Sequence, residues 1–286
     1  MRKKKKVNAA ILIIGNEILS GRTQDKNIAF LSNWLNTQCG ISVSEVRIIP
    51  DVEKTIVNNI RLLSKSFNYV FTTGGIGPTH DDITAKSIAK AFKVKYGFHK
   101  EAFKILENYY GKEKFNDGRK KMAKMPIKSK LIYNPSSAAP GFITKNVLSL
   151  PGVPSILNSM IENCKRYLKK GSKVHSKTIN LFTVESNISK QLGLIQKKYK
   201  ELVDIGSYPF FRLGKIGVSV VLRSTSKIKL SKVNKELVEK RLKTSANRNE
   251  VIRLEKTLLV RDKMAQKLQD KLVQSKRETV SVCTQS

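Results

Sequence analysis

Cysteine is nearly absent: Cys39, Cys164 and Cys283 are the only three in 286 residues, far apart and odd in number. That excludes a disulfide framework and a spaced-cysteine zinc site, and it fits a reducing cytoplasm. No run of about 18 apolar residues occurs, so no helical membrane span is expected. Acidic residues are scarce too, 22 against 55 basic, leaving a formal net charge of +33. Such a surplus suits polyanions, nucleic acid among them. Yet the lysines are spread along every segment rather than clustered beside aromatics, which argues against a dedicated readout surface. The opening MRKKKKVNAAILIIG begins as a secretory signal does. Asn8 interrupts its apolar run and Asn16 and Glu17 end it before a small-residue cleavage site, so the run reads as a buried strand.

What is present is a chain long enough for one large domain and one smaller one, with an ordinary apolar fraction of 40%. Short β-rich runs alternate with helical ones, the pattern of a parallel sheet covered on both faces. Strands are expected at 9–14, 43–49, 69–73 and 146–150. Helices are expected at 27–36, 52–66, 83–92, 100–110 and 117–125, and from the turn at 151–154 to about 169. The stretch NPSSAAPGF, residues 134–142, reads as a loop. These elements close one α/β domain over 8–170. A small α+β module follows at 177–243, with strands at 178–184, 203–208 and 217–223 and helices at 188–199 and 230–242. Residues 246–286 form a charged tail with too few apolar groups to offset its ordering entropy.

The stretch FTTGGIGPTHDDIT, residues 71–84, joins an anion-binding turn to two adjacent carboxylates. A strand ending at Thr72 and Thr73 followed by Gly74, Gly75 and Gly77 delivers backbone N–H groups to the carboxyl edge of the sheet, where open α/β sheets bind ligands. The helix after it points its positive end the same way. The third glycine of GxGxxG and the GK[ST] of a Walker A loop are both missing.

A carboxylate about 4 Å from a phosphate costs roughly 4 kcal/mol at an effective dielectric near 20. Each charge-assisted N–H bond returns only about 1.5–3 kcal/mol. A divalent cation bridging carboxylate and phosphate removes the conflict, which points to Mg, Mn or Co held by Asp81 and Asp82. The plainer alternative is that Asp82 caps the next helix and Asp81 is solvated. Asp51, at the end of the second strand, is a further carboxylate for the same edge or a helix cap. Glu17 in GNE, with Gly15 before it and Asp25 and Asn27 after it, reaches the cleft or caps a helix. His80 touches phosphate or is a solvated loop residue. Pro151 and Gly152 line the cleft or merely turn the chain.

With TTGGIGPTHDDIT (72–84) stand IPD (49–51), IIGNEILSG (13–21), NPSSAAPGF and LPGVP (150–154). Together they resemble the molybdopterin-binding fold of the MoaB and Mog proteins, and most of all the CinA-like, competence/damage-inducible group. INLFTVES, VDIGSYPFF and GVSVVLRS resemble the small KH-like module that follows in that group. The resemblance implies a three-layer, parallel-type α/β domain and then a KH-like α+β module. It also implies that the loop at Thr73, Gly74, Gly75, Gly77, Pro78 and Thr79 binds a pterin or nucleotide phosphate, and that Asp51 and Asp82 act in catalysis or metal binding. The reaction expected on this footing is metal-dependent hydrolysis of a nucleotide diphosphate such as ADP-ribose or FAD. Molybdopterin binding or adenylylation is the first alternative and non-enzymatic nucleic-acid binding the second. Relatives form dimers or trimers, so a homo-oligomer is expected.

Asn16, Ser137 and Ile156 depart from the family's usual Thr, Gly and Glu. The end, ETVSVCTQS (278–286), faintly resembles the start of a deamidase domain cut short. GKIG (214–217) matches the GxxG of KH modules, but between two strands it reads as a hairpin turn.

Overall fold

The seven residues Asn8–Ile14 form β1, and six of them are buried. A strand with both faces covered reads as an unbroken apolar run, which is what Ala9 to Ile14 supply. Side chains of a strand alternate between faces. Ala10, Leu12 and Ile14 therefore enter one core cluster and Ala9, Ile11 and Ile13 another. The computed structural model describes residues 7–200, 202–212 and 215–242. The chain divides between His175 and Ser176 into two compact units.

In the first unit β1 is followed by α1 (Asn16–Leu19), α2 (Asn27–Trp34), β2 (Ser42–Ile49), α3 (Glu53–Ser66), β3 (Tyr69–Thr73) and α4 (Thr84–Phe92). Next come β4 (Tyr96–Phe98), α5 (Lys100–Tyr110), α6 (Asp117–Lys121), β5 (Lys124–Pro126) and β6 (Lys130–Ile132). The unit ends with β7 (Gly141–Thr144), β8 (Val147–Leu150) and α7 (Pro154–Met160). The main sheet has the order β2-β1-β3-β8-β7-β6. Its first four strands are parallel, and β7 and β6 turn antiparallel at one edge. Helices α3, α4 and α5 pack on one face through Ile56, Ile60, Leu63, Ile88 and Leu106. On the other face α2 and α7 pack through Leu31, Trp34, Leu157 and Met160. This is the three-layer α/β architecture of the sequence reading, with an antiparallel edge added.

From β1 the chain crosses one way to β2 and then back over it to β3. That reversal opens a crevice at the carboxyl ends of β1 and β3, the usual ligand position in such sheets.

Several boundaries differ from expectation. The helix begun at Asp117 stops at Lys121 rather than 125, and residues 124–126 pair with β4 instead. Met125 precedes Pro126, and a residue before proline is pushed out of helical geometry. Ala123 and Met125 are both buried at strand spacing. Gly141 and Phe142, assigned to a loop, open β7. The helix at Asn27 ends at Trp34 and widens into a π-turn over Leu35–Cys39, closing on Gly40 at φ 66°. Helix α7 tightens to a 3₁₀ segment, Ile161–Tyr167, and does not reach 169.

The second unit comprises β9 (His175–Leu181), α8 (Glu185–Tyr199), β10 (Asp204–Arg212), β11 (Lys215–Ser224) and α9 (Lys227–Leu242). Strand β9 lies earlier than the expected 178–184, and β10 runs past 208. The sheet order is β10-β11-β9. Helices α8 and α9 cover one face, with Ile195, Tyr199, Leu230 and Val233 against Val218, Val220 and Leu222. β10 and β11 pair antiparallel out to Arg212 and Lys215, so Lys215, Ile216 and Gly217 of GKIG open the second strand of an antiparallel pair, and Gly214 lies outside the described residues. The expected tail at 246–286 lies outside the described residues.

Candidate functional site

The carboxyl ends of β1, β2, β3 and β8 release Gly15, Asp51, Gly74 and Pro151 at a single edge. Since β7 runs against β8, with Phe142 opposite Ser149, the loop 133–140 emerges there as well.

At the crevice the backbone is too crowded for side chains. Gly74 has φ 96°, and a Cβ there would stand 2.1 Å from the Ile14 carbonyl oxygen. Gly75 has φ 67°, and its Cβ would stand 2.2 Å from Thr84 Oγ1. Its carbonyl accepts the Thr84 amide at 2.9 Å, which ties the loop to the start of α4.

Not every amide of the loop is free to meet an anion. Gly74 N–H donates to the Leu150 carbonyl at 3.1 Å and Gly15 N–H to that of Ile49 at 3.2 Å, so the amides of both are spent inside the sheet edge. The Thr79 amide donates to Asp82. Among the described residues, the half-exposed amides of Gly75, Ile76 and Gly77 have no protein acceptor. The available cradle is thus Gly75-Ile76-Gly77.

Asp82 does not cap α4, whose N-cap is Ile83 and which has no side-chain cap. Its Oδ2 instead receives the Thr79 amide at 2.8 Å and the Thr79 hydroxyl at 2.5 Å. The same carboxylate folds over Gly77, where a Cβ would come within 2.7 Å of it. Asp51 does not cap α3 either, because its Oδ2 accepts the Asn16 amide at 2.9 Å. Glu17 is exposed, and its carboxylate lies over Gly15, within 2.6 Å of where a Cβ would be. Asp25 caps α2 by accepting from Ile28 N–H. Asn27 is buried, donating to the Gly152 carbonyl at 2.8 Å, and a Cβ on Gly152 would be 3.4 Å from Gly74 Cα. Pro151 and Gly152 thereby close the side of the crevice. Thr73 is buried, whereas Pro78, Thr79 and His80 are exposed.

Asp51 senses the other acids. Burial pushes the Asp51 carboxyl above its ordinary range, and the charges of Glu17, Asp81 and Asp82 push it the same way. Asp81, at the surface, is held below that range, first by the neighbouring Thr79 and then by its own backbone amide, His80 and Lys121. Among the described residues no group of three His, Cys, Asp or Glu side chains forms a ready metal shell. The donor set nonetheless suits a hard divalent ion that keeps waters and takes one or two carboxylates plus ligand phosphate. Several carboxylates at the sheet edge that carries the unclaimed amides have the chemistry for that.

Two features escape a reading of the sequence. Lys121 on α6 donates through Nζ to the Thr79 carbonyl and so clasps the loop. Asn134 organises the 133–140 loop, accepting from Ser136 and Ser137 amides and donating to the Ala139 carbonyl at 2.9 Å. Nothing in residues 71–84 signals the first. The Asn-Pro-Ser-Ser string is the signal for the second.

Residues 10–170 match the protein family described as "Probable molybdopterin binding domain", and residues 173–250 match "FAD synthase, middle domain". A protein of Archaeoglobus fulgidus is 34% identical over 219 residues, 77% of this chain and 92% of its own. A CinA-like protein of a Sulfurihydrogenibium species is 36% identical over 57% of this chain, which spans 45% of that protein's length. The crystal structure of a CinA protein of unknown function from Thermoplasma acidophilum superposes with a TM-score of 0.52 at 32% identity. It covers 56% of this chain and 98% of its own.

Proposed function

The chain belongs to the molybdopterin-binding-domain family, within its CinA-like group, and from that membership we propose a metal-dependent hydrolase of nucleotide diphosphates. One observation carries the reading: three unclaimed amides, Gly75 to Gly77, stand on the same sheet edge as Asp51, whose carboxyl feels the charges of Glu17, Asp81 and Asp82. The amides receive phosphate oxygens. Asp81 and Asp82 hold a divalent ion of the Mg, Mn or Co kind, which when bound neutralises phosphate charge and acidifies a water. Asp51, partly buried and already biased toward its protonated form, takes up the proton of the attacking water. The new P–O bond forms as the bridging P–O bond breaks, and the leaving phosphate departs with the bridging oxygen. Lys121 keeps the loop in place through the Thr79 carbonyl.

The reading is tested by incubating the protein with ADP-ribose or FAD and each metal and assaying the two monophosphate products. Both Asp51→Asn and Asp82→Asn are expected to lose at least about a hundredfold in rate, the order of one general-base step. Full activity in Asp82→Asn would remove the mechanism. A second reading, pterin binding or adenylylation, is favoured by the family match over 10–170. Pterin-dependent consumption of ATP without diphosphate hydrolysis would select it. A homo-oligomer and a cytoplasmic location belong to the same proposal. Among the described residues no helix is long and apolar enough to cross a membrane.

A further inference from the structure

The sheet of the second unit has one face packed by α8 and α9 and one that no described element of that unit covers. Val218, Val220 and Leu222 point to the helices, so Ser219 and its partner Tyr208 point the other way, as do Phe210 and Arg212 by alternation. The open face is aromatic. Tyr208 and Phe182 are each 48% exposed, and the rings of Phe182 and Phe210 meet edge to face at 5.9 Å. The Arg212 guanidinium lies over the Phe210 ring, 5.2 Å from its centroid. Ser219 donates to Asn180 Oδ1 at 2.7 Å, which leaves the amide group of Asn180 on that face for a further partner.

Two glycines make room for the rings. A Cβ on Gly217 would be 2.4 Å from the Phe210 ring, and one on Gly206 would be 3.0 Å from that of Tyr208. Each ring therefore lies across the bare backbone of a glycine. The surrounding charge is one-sided: residues 176–242 carry fourteen Lys and Arg against five Asp and Glu. Asp204, the cross-strand partner of Arg223, stands on this face by the same alternation.

We propose that this open face binds single-stranded nucleic acid, with Tyr208 and Phe210 stacking successive bases and Arg212 and Arg223 meeting the backbone. Exposed aromatic rings on a basic surface bind single strands with little sequence preference, because every base has a π-face and every link a phosphate. Tyr208, Phe210 and Arg212 are neighbours in the sequence, and Phe182 and Arg223, at the two ends of a span of 42 residues, join them only when β9, β10 and β11 assemble.

The test is fluorescence anisotropy of the full chain with labelled single strands of about 12 nucleotides, DNA and RNA, and with the matching duplex. Single strands are expected to bind more tightly than duplex, with affinity falling as salt rises from about 50 to about 200 mM. Tyr208→Ala and Phe210→Ala should each weaken binding about tenfold. Arg212→Glu should weaken it and flatten the salt dependence. Phe210 also packs on Phe182, so Tyr208→Ala, checked by thermal unfolding, keeps the test valid if Phe210→Ala fails to fold. Absence of binding at low salt overturns the proposal. So does equal binding of duplex, or a Tyr208→Ala, Arg212→Glu double variant that binds as the parent does. A parent dimer that this double variant dissociates, with nucleic-acid binding unchanged, assigns the face to a second copy of the chain and overturns it equally.

Discussion

The backbone amide of Asn16 donates to Asp51 Oδ2 at 2.9 Å, joining the end of β2 to the turn after β1 across the mouth of the crevice. That single bond accepts a charge from one direction while Glu17, Asp81 and Asp82 oppose it from others, and burial outweighs the bond. The carboxyl that results is strained as an anion and comfortable as an acid.

Asp51 therefore makes stability depend on pH with a definite sign. A carboxyl whose native pKa stands above its unfolded value near 3.8 binds its proton more tightly when folded. Its contribution is full below that value and is lost as pH rises through the raised native pKa. Asp51→Asn, neutral at every pH, should be more stable than the parent at neutrality, with a gap that closes as pH falls toward 3.8. Urea midpoints measured across that window read it directly. A gap that stays constant with pH contradicts the stated cause.

Gly74 should tolerate no side chain. Its φ of 96° and the 2.1 Å that would separate a Cβ from the Ile14 carbonyl oxygen put two penalties on one position. Strain of this kind costs about 1–3 kcal/mol before the clash is added. Gly74→Ala is expected to lose about 3 kcal/mol or more, a fall in Tm on the order of 6–12 °C for a chain of this size. Gly111→Ala serves as the control, since φ is 73° there but nothing lies within 4 Å of the added Cβ. If both variants melt together, backbone conformation alone explains the loss and the crowding at Ile14 does not matter.

Much of this fold is legible in the sequence because local patterns and burial agree. β3 and α5 occupy the residues that alternation and helical spacing assign them, Tyr69–Thr73 and Lys100–Tyr110. Gathering Glu17, Asp51 and Asp82 at one edge was likewise legible, since each follows a strand of a parallel sheet. What escapes is set by partners far along the chain. Strands β4 to β7 are three or four residues long, too short for periodicity, and exist because each finds a neighbour. Gly74 N–H goes to Leu150, so which amides remain for a ligand depends on a strand seventy-six residues later. Lys121 reaches Thr79 from forty-two residues away.

The loop from Gly77 to Asp82 is held by two contacts that can be removed separately. Asp82→Ala leaves the Thr79 amide and hydroxyl without their acceptor, and Lys121→Met leaves the Thr79 carbonyl without its cation. A hydrogen bond to a charged group contributes about 1.5–3 kcal/mol, and solvent at this exposed site brings each contact to about 1 kcal/mol. Global stability should hardly change. Amide exchange over residues 77–83 should quicken several-fold in either variant, and Asp82→Asn, which keeps an acceptor oxygen, should recover most of the protection. Unchanged exchange in both Asp82→Ala and Lys121→Met means that the loop is held by Gly75 and Thr84 alone.

Cys39 and Cys164 offer a probe of the opposite face. Both are buried in the layer formed by α2 and α7, and burial pushes their thiols up, to about 11 for Cys39 and about 12 for Cys164. The thiolate is the reactive form, and at pH 8 it amounts to no more than about one part in a thousand of either thiol. Cys39 is further fixed because its carbonyl accepts the Gly171 amide at 2.9 Å. Alkylation by iodoacetamide in native buffer, read by peptide mapping, should leave both cysteines unmodified. Their labelling should appear with denaturant at the transition that Trp34, the chain's one tryptophan and a member of the same core cluster, reports by fluorescence. Labelling of Cys164 at low denaturant, ahead of the Trp34 transition, would show that the 3₁₀ segment Ile161–Tyr167 opens on its own and that the layer is not one cooperative unit.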